Sequence, residues 1–441
     1  MNNISLNPIN FKLKTPSREQ LEFQYSCLDQ LVPEDHKVRL IWEFVSEMDL
    51  SVCLDDISSF YGERGRASTD PKILLTLWIY TTLDGNTSAR KLEELCSNHN
   101  VYKWICGGVS VSRTTLAEFR SINPRKFDEL LTKCLAVMLK HDLISDTDFA
   151  QDGTRVKANA GFDSFRKEDS LKKLEAQFFE YINQLREQEK TVTNAYERRK
   201  NLEKTRHALV KKERIKEALK NLEQTRCEKI INGDRNRDKP NEEELGNIRA
   251  STTDPEARKM KMGDGGYRLA YNIQFATGLD SRVIYGVDAV NTLDPGTAPR
   301  LMAQVHERLQ SLNMSKIKKW IADAAYSAKN DLITIAHLFP NCLYFAPPKP
   351  RKGIDPKNHL KNDHEAVTNW RNLIGSNEIK ELYKKRCSTA EFSNMHVKNQ
   401  GLTEFSVRGL IKVKGMAFLH AISMNISRFL NLFENKSKGV N

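Results

Sequence analysis

The stretch that decides the fold class is residues 271–287, which read YNIQFATGLDSRVIYGV. Residues 271–275 and 283–287 follow the alternating period of β-strands and are rich in β-branched and aromatic side chains. Between the two runs, Thr277-Gly278-Leu279-Asp280 has the composition of a turn. We therefore expect a β-hairpin in this part of the chain.

Further elements are predicted on both sides of this hairpin from the same kind of pattern. They are a strand over 143–149 that ends at Asp152, a helix over 298–312, a strand over 319–322 that ends at Asp323, and a strand over 342–346 that is closed by Pro347-Pro348. The resulting order of strand, strand, helix, strand, strand, helix predicts an α/β fold with a mixed sheet.

Residues 26–144 are predicted to be an all-α domain, because their apolar side chains recur at helical spacing. Asn86-Thr87-Ser88 can cap one helix, and Ser112-Arg113-Thr114-Thr115 can open another after Gly107-Gly108. Helix, glycine turn and helix fit a helix-turn-helix, and they fit two ordinary packed helices as well.

Residues 161–249 are predicted to be an α-helical hairpin inserted between the first two strands of the sheet. Between residues 161 and 240, 36 of the 80 side chains are charged, and leucine and isoleucine recur three and four residues apart. The hairpin should end at Asn232-Gly233-Asp234, and a polar loop should follow to about Asn247. Its charge fits a solvated face, and it also fits an arm that contacts DNA or a second protomer.

Composition excludes several classes of protein. The 441 residues are 39% hydrophobic and 29% charged, which is the balance of a multi-domain globular protein. No apolar run reaches the ~20 residues of a membrane span, and the eight cysteines lack zinc spacing. We expect a soluble cytosolic protein with reduced cysteines and no membrane partner. Residues 1–25 and 431–441 are assigned to an N-terminal extension and a C-terminal tail.

The net charge of +12 fits a polyanionic partner. Residues 1–150 carry 17 basic and 21 acidic side chains, whereas residues 241–441 carry 29 and 20. The surplus of positive charge is therefore in the middle and C-terminal parts of the chain. DNA contacts by the N-terminal helices would have to come from a local cluster of basic residues.

Three carboxylates are candidates for a metal site. Asp152 and Asp323 each follow a predicted strand, so both would lie at one edge of the sheet if the strands are parallel neighbours. Glu391 lies on a predicted helix, and Lys398 follows two turns later on the same face. Mg²⁺ takes such hard oxygen ligands, and phosphoryl transfer on nucleic acids can use two of these ions.

Four other aspartates are less favoured candidates. Asp264 lies in a glycine-rich turn, and Asp288 follows the strand at 283–287; either could replace one member of the set. Asp146 and Asp148 would share one face of the first strand, where they could support the site or face solvent.

Five motifs follow one another along the chain. They are Asp152-Gly153-Thr154 with Ala158-Asn159-Ala160, then Ser251-Thr252-Thr253-Asp254-Pro255-Glu256-Ala257-Arg258, then Gly265-Gly266-Tyr267 with Tyr271-Asn272, then Ala322-Asp323 with Tyr326, and finally Arg408-Gly409-Leu410 with Lys412-Val413-Lys414. In this order they resemble the bacterial insertion-sequence transposases with a DDE triad. The resemblance covers about residues 25–430, and the joint order of the motifs makes it specific.

The resemblance implies an RNase H-like catalytic domain made of residues 145–160 and 250–430. In such a domain Asp152, Asp323 and Glu391 would hold two Mg²⁺ ions, for which Mn²⁺ can substitute, and DNA would be cut at the terminal inverted repeats of a mobile element. The freed 3′-hydroxyl would then attack target DNA.

The resemblance also implies phosphate contacts. Tyr383, Arg386, Glu391 and Lys398 match the family's Tyr-Arg-Glu-Lys signature, whose phenol and cations contact phosphate near the cleaved bond. Four residues separate Arg386 from Glu391, one more than in the usual signature, which makes the role of Arg386 less secure than that of Glu391. The basic run Arg408, Lys412 and Lys414 would add phosphate contacts or form the basic face of a helix.

Sequence-specific base contacts are expected from the N-terminal helices, with Arg113 and Arg120 as candidates. A homodimer is expected on DNA, because two DNA ends must be held together, and the protein would then be associated with the bacterial nucleoid. No phosphate-binding loop motif occurs in the sequence, so no nucleotide cofactor is expected. A metal-dependent nuclease of the same fold without strand transfer, and a DNA-binding derivative that has lost catalysis, are the rival functions.

Overall fold

The computed structural model describes residues 27–55, 57, 67–121, 123–192, 194–236, 240–349 and 355–437. The α-helices are α1 Lys37–Glu47, α2 Ser51–Leu54, α3 Pro71–Leu83, α4 Ala89–Asn98, α5 Asn100–Cys106, α6 Arg113–Arg120, α7 Pro124–Lys140, α8 Glu168–Thr191, α9 Ala195–Asn236, α10 Glu242–Gly246, α11 Ala298–Ser311, α12 Lys329–Leu338, α13 Glu365–Leu373, α14 Asn377–Asn399 and α15 Leu410–Ser437. The strands are β1 Asp148–Lys157, β2 Phe165–Lys167, β3 Arg249–Ser251, β4 Arg258–Lys261, β5 Tyr267–Gly278, β6 Ile284–Val290, β7 Lys319–Ile321 and β8 Leu343–Phe345. The expected extension over 1–25 and residues 438–441 of the expected tail lie outside the described residues.

The N-terminal part is helical, as its sequence predicts. The Ser88 side chain accepts a hydrogen bond from the backbone of Lys91 and so caps α4, and Ser112 caps α6 in the same way. Helix α5 lies between them and ends at Gly107, whose φ of +56° is the left-handed conformation that glycine adopts readily. The glycine turn therefore follows α5 and not the helix that begins after Ser88, because the short apolar run from Val101 to Cys106 forms a helix of its own.

A six-stranded mixed sheet forms the second part of the molecule. Strand β1 lies in its middle, antiparallel to β5 and parallel to β7, and β8 continues the parallel side. On its other side, β5 pairs with β4 along its first part and with β6 along its second part. The hairpin β5–β6, the helix α11 and the short strands β7 and β8 confirm the corresponding predictions.

The expected position of the first strand was wrong. Residues 143–147 form no strand, and β1 begins at Asp148 and runs through Asp152 to Lys157. The apolar residues before Asp148 indicate burial, but burial alone does not make a strand. The strand forms where β5 supplies backbone hydrogen-bond partners, which it does as far as the pair Lys157–Ala270. Helix α12, between β7 and β8, was not predicted.

The insertion consists of the long helices α8 and α9 above a two-stranded sheet of β2 and β3. Two small apolar clusters join the helices, one of them around Leu171 and Ile215 and the other around Ile182 and Ala208. Helix α9 continues through the turn expected at 232–234, and the expected polar loop contains α10. A single glycine costs a helix only about 1 kcal/mol, so it did not end this long one.

The helical part and the sheet share one apolar core. Helix α15 packs against α3, α7 and β6, and its Phe429 ring lies 4.6 Å from the ring of Phe44, measured between centroids. The helix continues past the boundary expected at residue 431. Among the described residues, no helix has the length and apolar character needed to cross a membrane.

Candidate active site

Asp152 and Asp323 occupy equivalent positions on neighbouring parallel strands. The pairing of β1 with β7 runs from Asp148–Lys319 to Ala150–Ile321, and each aspartate lies two residues beyond the last pair. The sequence expected this juxtaposition on condition that the strands are parallel neighbours, and the pairing meets that condition. Asp323 begins a short turn and accepts a hydrogen bond of 2.7 Å from the backbone of Ala325.

Asp152 is the most strongly perturbed carboxylate of this edge. One of its oxygen atoms lies 3.1 Å from the Arg386 guanidinium and accepts a bond of 2.9 Å from the backbone of Gly153; the other accepts a bond of 3.0 Å from the Asn394 amide. Burial, together with the negative charges of Asp323 and Asp294, raises the pKa of Asp152 to about 6, although the positive charge of Arg386 opposes this shift.

Helix α14 supplies these partners. It begins at a Ser376 cap and buries Ala390 and Val397, so that its apolar face lies on the sheet. Arg386, only 8% exposed, lies over the ring of Tyr383 with 5.8 Å from guanidinium carbon to centroid. The Nε atom of Arg386 and the Oδ1 atom of Asn394 are buried without a hydrogen-bond partner. Arg386 and Tyr383 are therefore brought to the edge where Asp152 lies.

Glu391 and Lys398 are exposed on α14, and no described hydrogen bond or ion pair joins either of them to Asp152 or Asp323. The spacing accounts for this. One additional residue turns a side chain about 100° further around a helix, and position 390, which the usual spacing would give to the glutamate, is a buried alanine. The structure thus brings two of the three predicted acids together and leaves the third on the neighbouring face of the helix.

Asp294 was not predicted and lies beside the two aspartates. It comes from the loop between β6 and α11, and its Oδ1 atom accepts hydrogen bonds from Asn272 at 2.8 Å, Gln274 at 3.0 Å and Tyr326 at 3.3 Å. A Cβ atom on residue 153 would lie 2.7 Å from that oxygen, so Gly153 is required for this close approach. In the sequence, Asp294-Pro295-Gly296 has the composition of an ordinary turn, so nothing in it indicates that Asp294 belongs to a site.

The less favoured aspartates have other partners. Asp264, in the turn before β5, accepts from the backbone of Gly266 and pairs with Arg268, and Asp288 on β6 pairs with Arg300 and Lys414. Asp146 is buried and accepts bonds from two backbone N–H groups and from the hydroxyl of Tyr285. Asp148 begins β1 and accepts a bond from Thr147.

The basic residues expected to bind DNA fall into two groups. Arg113 on α6 and Lys412 on α15 are exposed and line one shallow depression of about 470 Å³, together with Arg90 of α4. Arg408 is exposed, and its Nε atom donates to the backbone of Asn159.

The second group is engaged inside the protein. Lys414 forms an ion pair of 2.9 Å with Asp288. Arg120 is buried, donates to the backbone of Thr87 and to the hydroxyl of Ser406, and lies over the ring of Trp78. Burial lowers the pKa of Arg120 to about 10. In this arrangement its guanidinium joins the helical part to the C-terminal part and does not reach the surface.

The donor set at the sheet edge fits a divalent cation in part. Asp152, Asp323 and the unpartnered Asn394 oxygen are hard oxygen donors of the kind that Mg²⁺ prefers. No group of three or more His, Cys, Asp or Glu side chains within the described ranges is arranged to hold a metal ion. The two aspartates can therefore supply ligands, whereas Glu391, the third predicted ligand, is exposed and makes no described bond to either of them.

Two family models match the chain. Residues 26–121 match the family described as Transposase domain (DUF772), and residues 350–430 match the family described as Transposase DDE domain. No curated protein and no solved structure matches the chain. The first match covers the helical region that contains α1 to α6, and the second covers α13, α14 and most of α15. The order and kind of these two domains support an insertion-sequence transposase.

Proposed function

We propose that this transposase binds the terminal inverted repeats of its mobile element, cuts the DNA there in a metal-dependent reaction and joins the freed ends to target DNA. The observation that carries the proposal is the placement of Asp152 and Asp323 two residues beyond the last β1–β7 pair, at one edge of a mixed sheet. The DDE-domain match over 350–430 adds the helix that bears Glu391. We assign the sheet and its helices to an RNase H-like domain on this basis.

The chemistry consists of two phosphoryl transfers. In the first, a water oxygen attacks the scissile phosphorus, the bond from phosphorus to the 3′ oxygen breaks, and that oxygen takes a proton. In the second, the new 3′-hydroxyl loses its proton and attacks a phosphorus of the target, whose own 3′ oxygen leaves. Mg²⁺, or Mn²⁺ in its place, would activate the attacking oxygen and stabilise the charge on the leaving oxygen.

The protein residues would hold the ions and orient the phosphate. Asp152, Asp323 and Glu391 are the proposed ligands; the first two already lie together, and Glu391 is on the helix that contacts Asp152. Tyr383, Arg386 and Lys398 on the same helix would contact the scissile phosphate. Arg386 is a support for Asp152 in the present arrangement, because its guanidinium lies 3.1 Å from that carboxylate.

DNA contacts outside the catalytic edge are assigned to the depression that Arg90, Arg113 and Lys412 line, and to Arg408 beside it. Three cations from three helices that converge on one surface can bind neighbouring phosphates. We propose a homodimer on DNA, since two ends must be joined in one reaction, and a cytoplasmic location with the nucleoid as the site of action.

The experiment is cleavage and joining of a labelled duplex that carries the element's own end, with Mg²⁺ or Mn²⁺, by the wild type and by Glu391→Gln. Glu381→Gln is the matched control, because Glu381 is exposed on the same helix and its described ion pair is with Lys384. We expect the wild type and the control to cut and join, and Glu391→Gln to bind the duplex without cutting it.

Three other results would change the assignment. Cutting without joining by the wild type would indicate a nuclease of the same fold, and binding without cutting by every protein would indicate a DNA-binding derivative. Full activity of Glu391→Gln would remove Glu391 from the site and leave Asp294 as the carboxylate to test next.

A further inference from the structure

A groove of about 1950 Å³ lies between the helical insertion and the sheet. On one side it is bordered by α9 near Lys229 and by β3 at Arg249, and on the other by β4 at Lys259 and by the loop over 291–296. The start of α12, Lys349 after β8 and Trp370 of α13 complete its walls. The insertion is therefore one wall of a groove and not a separate arm.

The charge of this groove is strongly positive. Seven of its lining residues are basic and two are acidic: Lys229, Arg249, Arg258, Lys259, Lys329, Lys349 and Arg371 against Glu228 and Asp331. Both acids are already engaged, since Glu228 pairs with Arg258 at 2.5 Å and Asp331 accepts a bond from the backbone of Gly296. Lys329 and Arg371 pair with Asp363.

Four of the cations remain available. Lys229, Arg249, Lys259 and Lys349 are exposed, and no described ion pair joins them to a carboxylate. The ammonium group of Lys259 also lies 4.8 Å from the centroid of the exposed Tyr267 ring. They come from four separate segments of the chain, so their convergence on one groove is produced by the fold and not by a run of basic sequence. Such a set of free cations can bind several phosphates in succession.

The groove leads to the candidate active site. Pro295 and Gly296 line it, and they follow Asp294 directly. Ser327 lines it as well and ends the short turn that Asp323 begins. The groove therefore ends one residue from Asp294 and four residues from Asp323 along the chain, which places it next to the candidate active site.

Apolar side chains project among the cations. Phe162 is 48% exposed and Leu293 is 59% exposed, and both line the groove. An aromatic ring beside free cations is the arrangement with which proteins bind single-stranded nucleic acid, where bases stack on the ring and phosphates pair with the cations. Phe162 meets the ring of Phe165 edge-on, with 6.2 Å between the centroids, and its exposed surface is open to a base that is not already stacked in a duplex.

We infer that this groove binds a single strand of DNA that flanks the bond to be cut, with Lys229, Arg249, Lys259 and Lys349 on its phosphates and Phe162 on a base. The inference rests on the proposed function where it identifies the bound strand as DNA next to the cleaved bond. The binding of a single strand in the groove does not depend on that function. It gives the insertion a definite part in substrate binding.

The test is binding of labelled oligo(dT) of about 12 nucleotides, a common site size, to the full chain over a range of salt concentrations. The groove variant is Lys229→Gln/Arg249→Gln/Lys259→Gln. Its matched control is Arg198→Gln/Lys200→Gln/Lys204→Gln, which removes the same charges from exposed positions of α9 that do not line the groove. Circular dichroism checks that both variants keep the helical content of the wild type.

We expect the slope of log affinity against log salt to fall by roughly 2 for the groove variant, since each phosphate contact to a single strand contributes about 0.7. The control should keep the slope of the wild type. Phe162→Ala should weaken binding at least about fivefold without changing the slope, because it removes stacking and no charge.

Equal losses for the two triple variants would show that bulk charge and not the groove binds the oligonucleotide, and an unchanged groove variant would also overturn the inference. A wild type that prefers a duplex of the same length, with Phe162→Ala silent, would overturn the single-strand assignment. Failure of the proposed function is seen separately, because cleavage of end DNA and binding of oligo(dT) are independent measurements.

Discussion

The sheet edge and the helical insertion are both rich in charged residues, but the charges differ in their surroundings. At the sheet, Asp152 is largely buried and is approached by Arg386 and Asn394 from a helix more than two hundred residues away in sequence. On the insertion, several charges pair with neighbours one turn away, as in Lys190–Glu187, where both side chains are at least 70% exposed. Burial and distant partners tune the chemistry of a carboxylate, whereas exposed local pairs mainly keep a helix soluble.

The sharpest test of this contrast is activity. Asp152→Asn should reduce cleavage of end DNA by at least about a thousandfold, since several kcal/mol of charge stabilisation depend on the ligands of the ions. Glu187→Gln on α8 should leave cleavage unchanged. Both variants are measured by single-turnover cleavage with Mg²⁺, at protein concentrations that saturate the DNA. An Asp152→Asn protein that cuts normally would contradict the assignment of this edge as the active site.

Stability gives the next largest difference. Arg308 on α11 is buried and pairs with Asp128 on α7, a contact between the sheet part and the helical part. Asp128→Ala should lower the free energy of unfolding by about 3 kcal/mol, because a buried guanidinium loses its counter-charge. Glu187→Ala, which breaks an exposed pair, should change it by less than about 0.5 kcal/mol. Urea unfolding followed by circular dichroism measures both, and similar losses would refute the contrast.

The dependence of stability on pH should have opposite signs in the two regions. Burial raises the pKa of Asp254, which accepts bonds from Tyr271 and from the backbone of Gly409. The folded protein therefore holds a proton at Asp254 more tightly than the unfolded chain does, and this residue lowers stability as the pH rises from about 4. The hydrogen bond from Arg226 lowers the pKa of Glu168 in the insertion to about 2, so Glu168 adds stability above its usual pKa and loses it as the pH falls.

Two variants separate these effects. Between pH 4 and pH 7, the melting temperature of Asp254→Asn should rise relative to that of the wild type, and the melting temperature of Glu168→Gln should fall relative to it. The expected changes are small for Glu168, whose carboxylate is partly solvated. Thermal unfolding at several pH values measures both differences. The same sign for the two variants would mean that burial does not distinguish the regions in this way.

Much of the fold could be predicted because patterns among neighbouring residues indicate its helices and strands. The strand period of residues 271–287 gave the β5–β6 hairpin, the 3.6-residue period of residues 298–312 gave α11, and the serines at 88 and 112 gave two helix starts. The predicted ends of helices and strands were less accurate where contacts with distant segments set them. Strand β1 continues past the expected end because β5 continues beside it. Helix α9 runs through Gly233 because one glycine costs a helix only about 1 kcal/mol.

The candidate site could be predicted only for residues whose position follows from the order and direction of the strands. Asp152 and Asp323 could be placed together because parallel neighbours align their ends. Asp294 could not be found, since a turn that contains Asp, Pro and Gly gives no sign of which side chain it directs at a neighbouring sheet. Arg120 was a candidate for contacts with DNA bases, yet it lies buried over Trp78, which no local pattern of the sequence indicates.

The sequence by itself determined the helical and α/β parts, the charged insertion, the two aspartates of the sheet edge and the transposase family, because periods, caps and ordered motifs are properties of neighbouring residues. The tertiary structure alone decided that Asp294 lies near Asp152, that Glu391 is exposed without a described bond to the aspartates, and that four cations without a described carboxylate partner line one groove. The positions of these side chains depend on strand register, on the rotation of α14 and on packing between segments far apart in the chain. Such side chains meet only after those long-range contacts have formed.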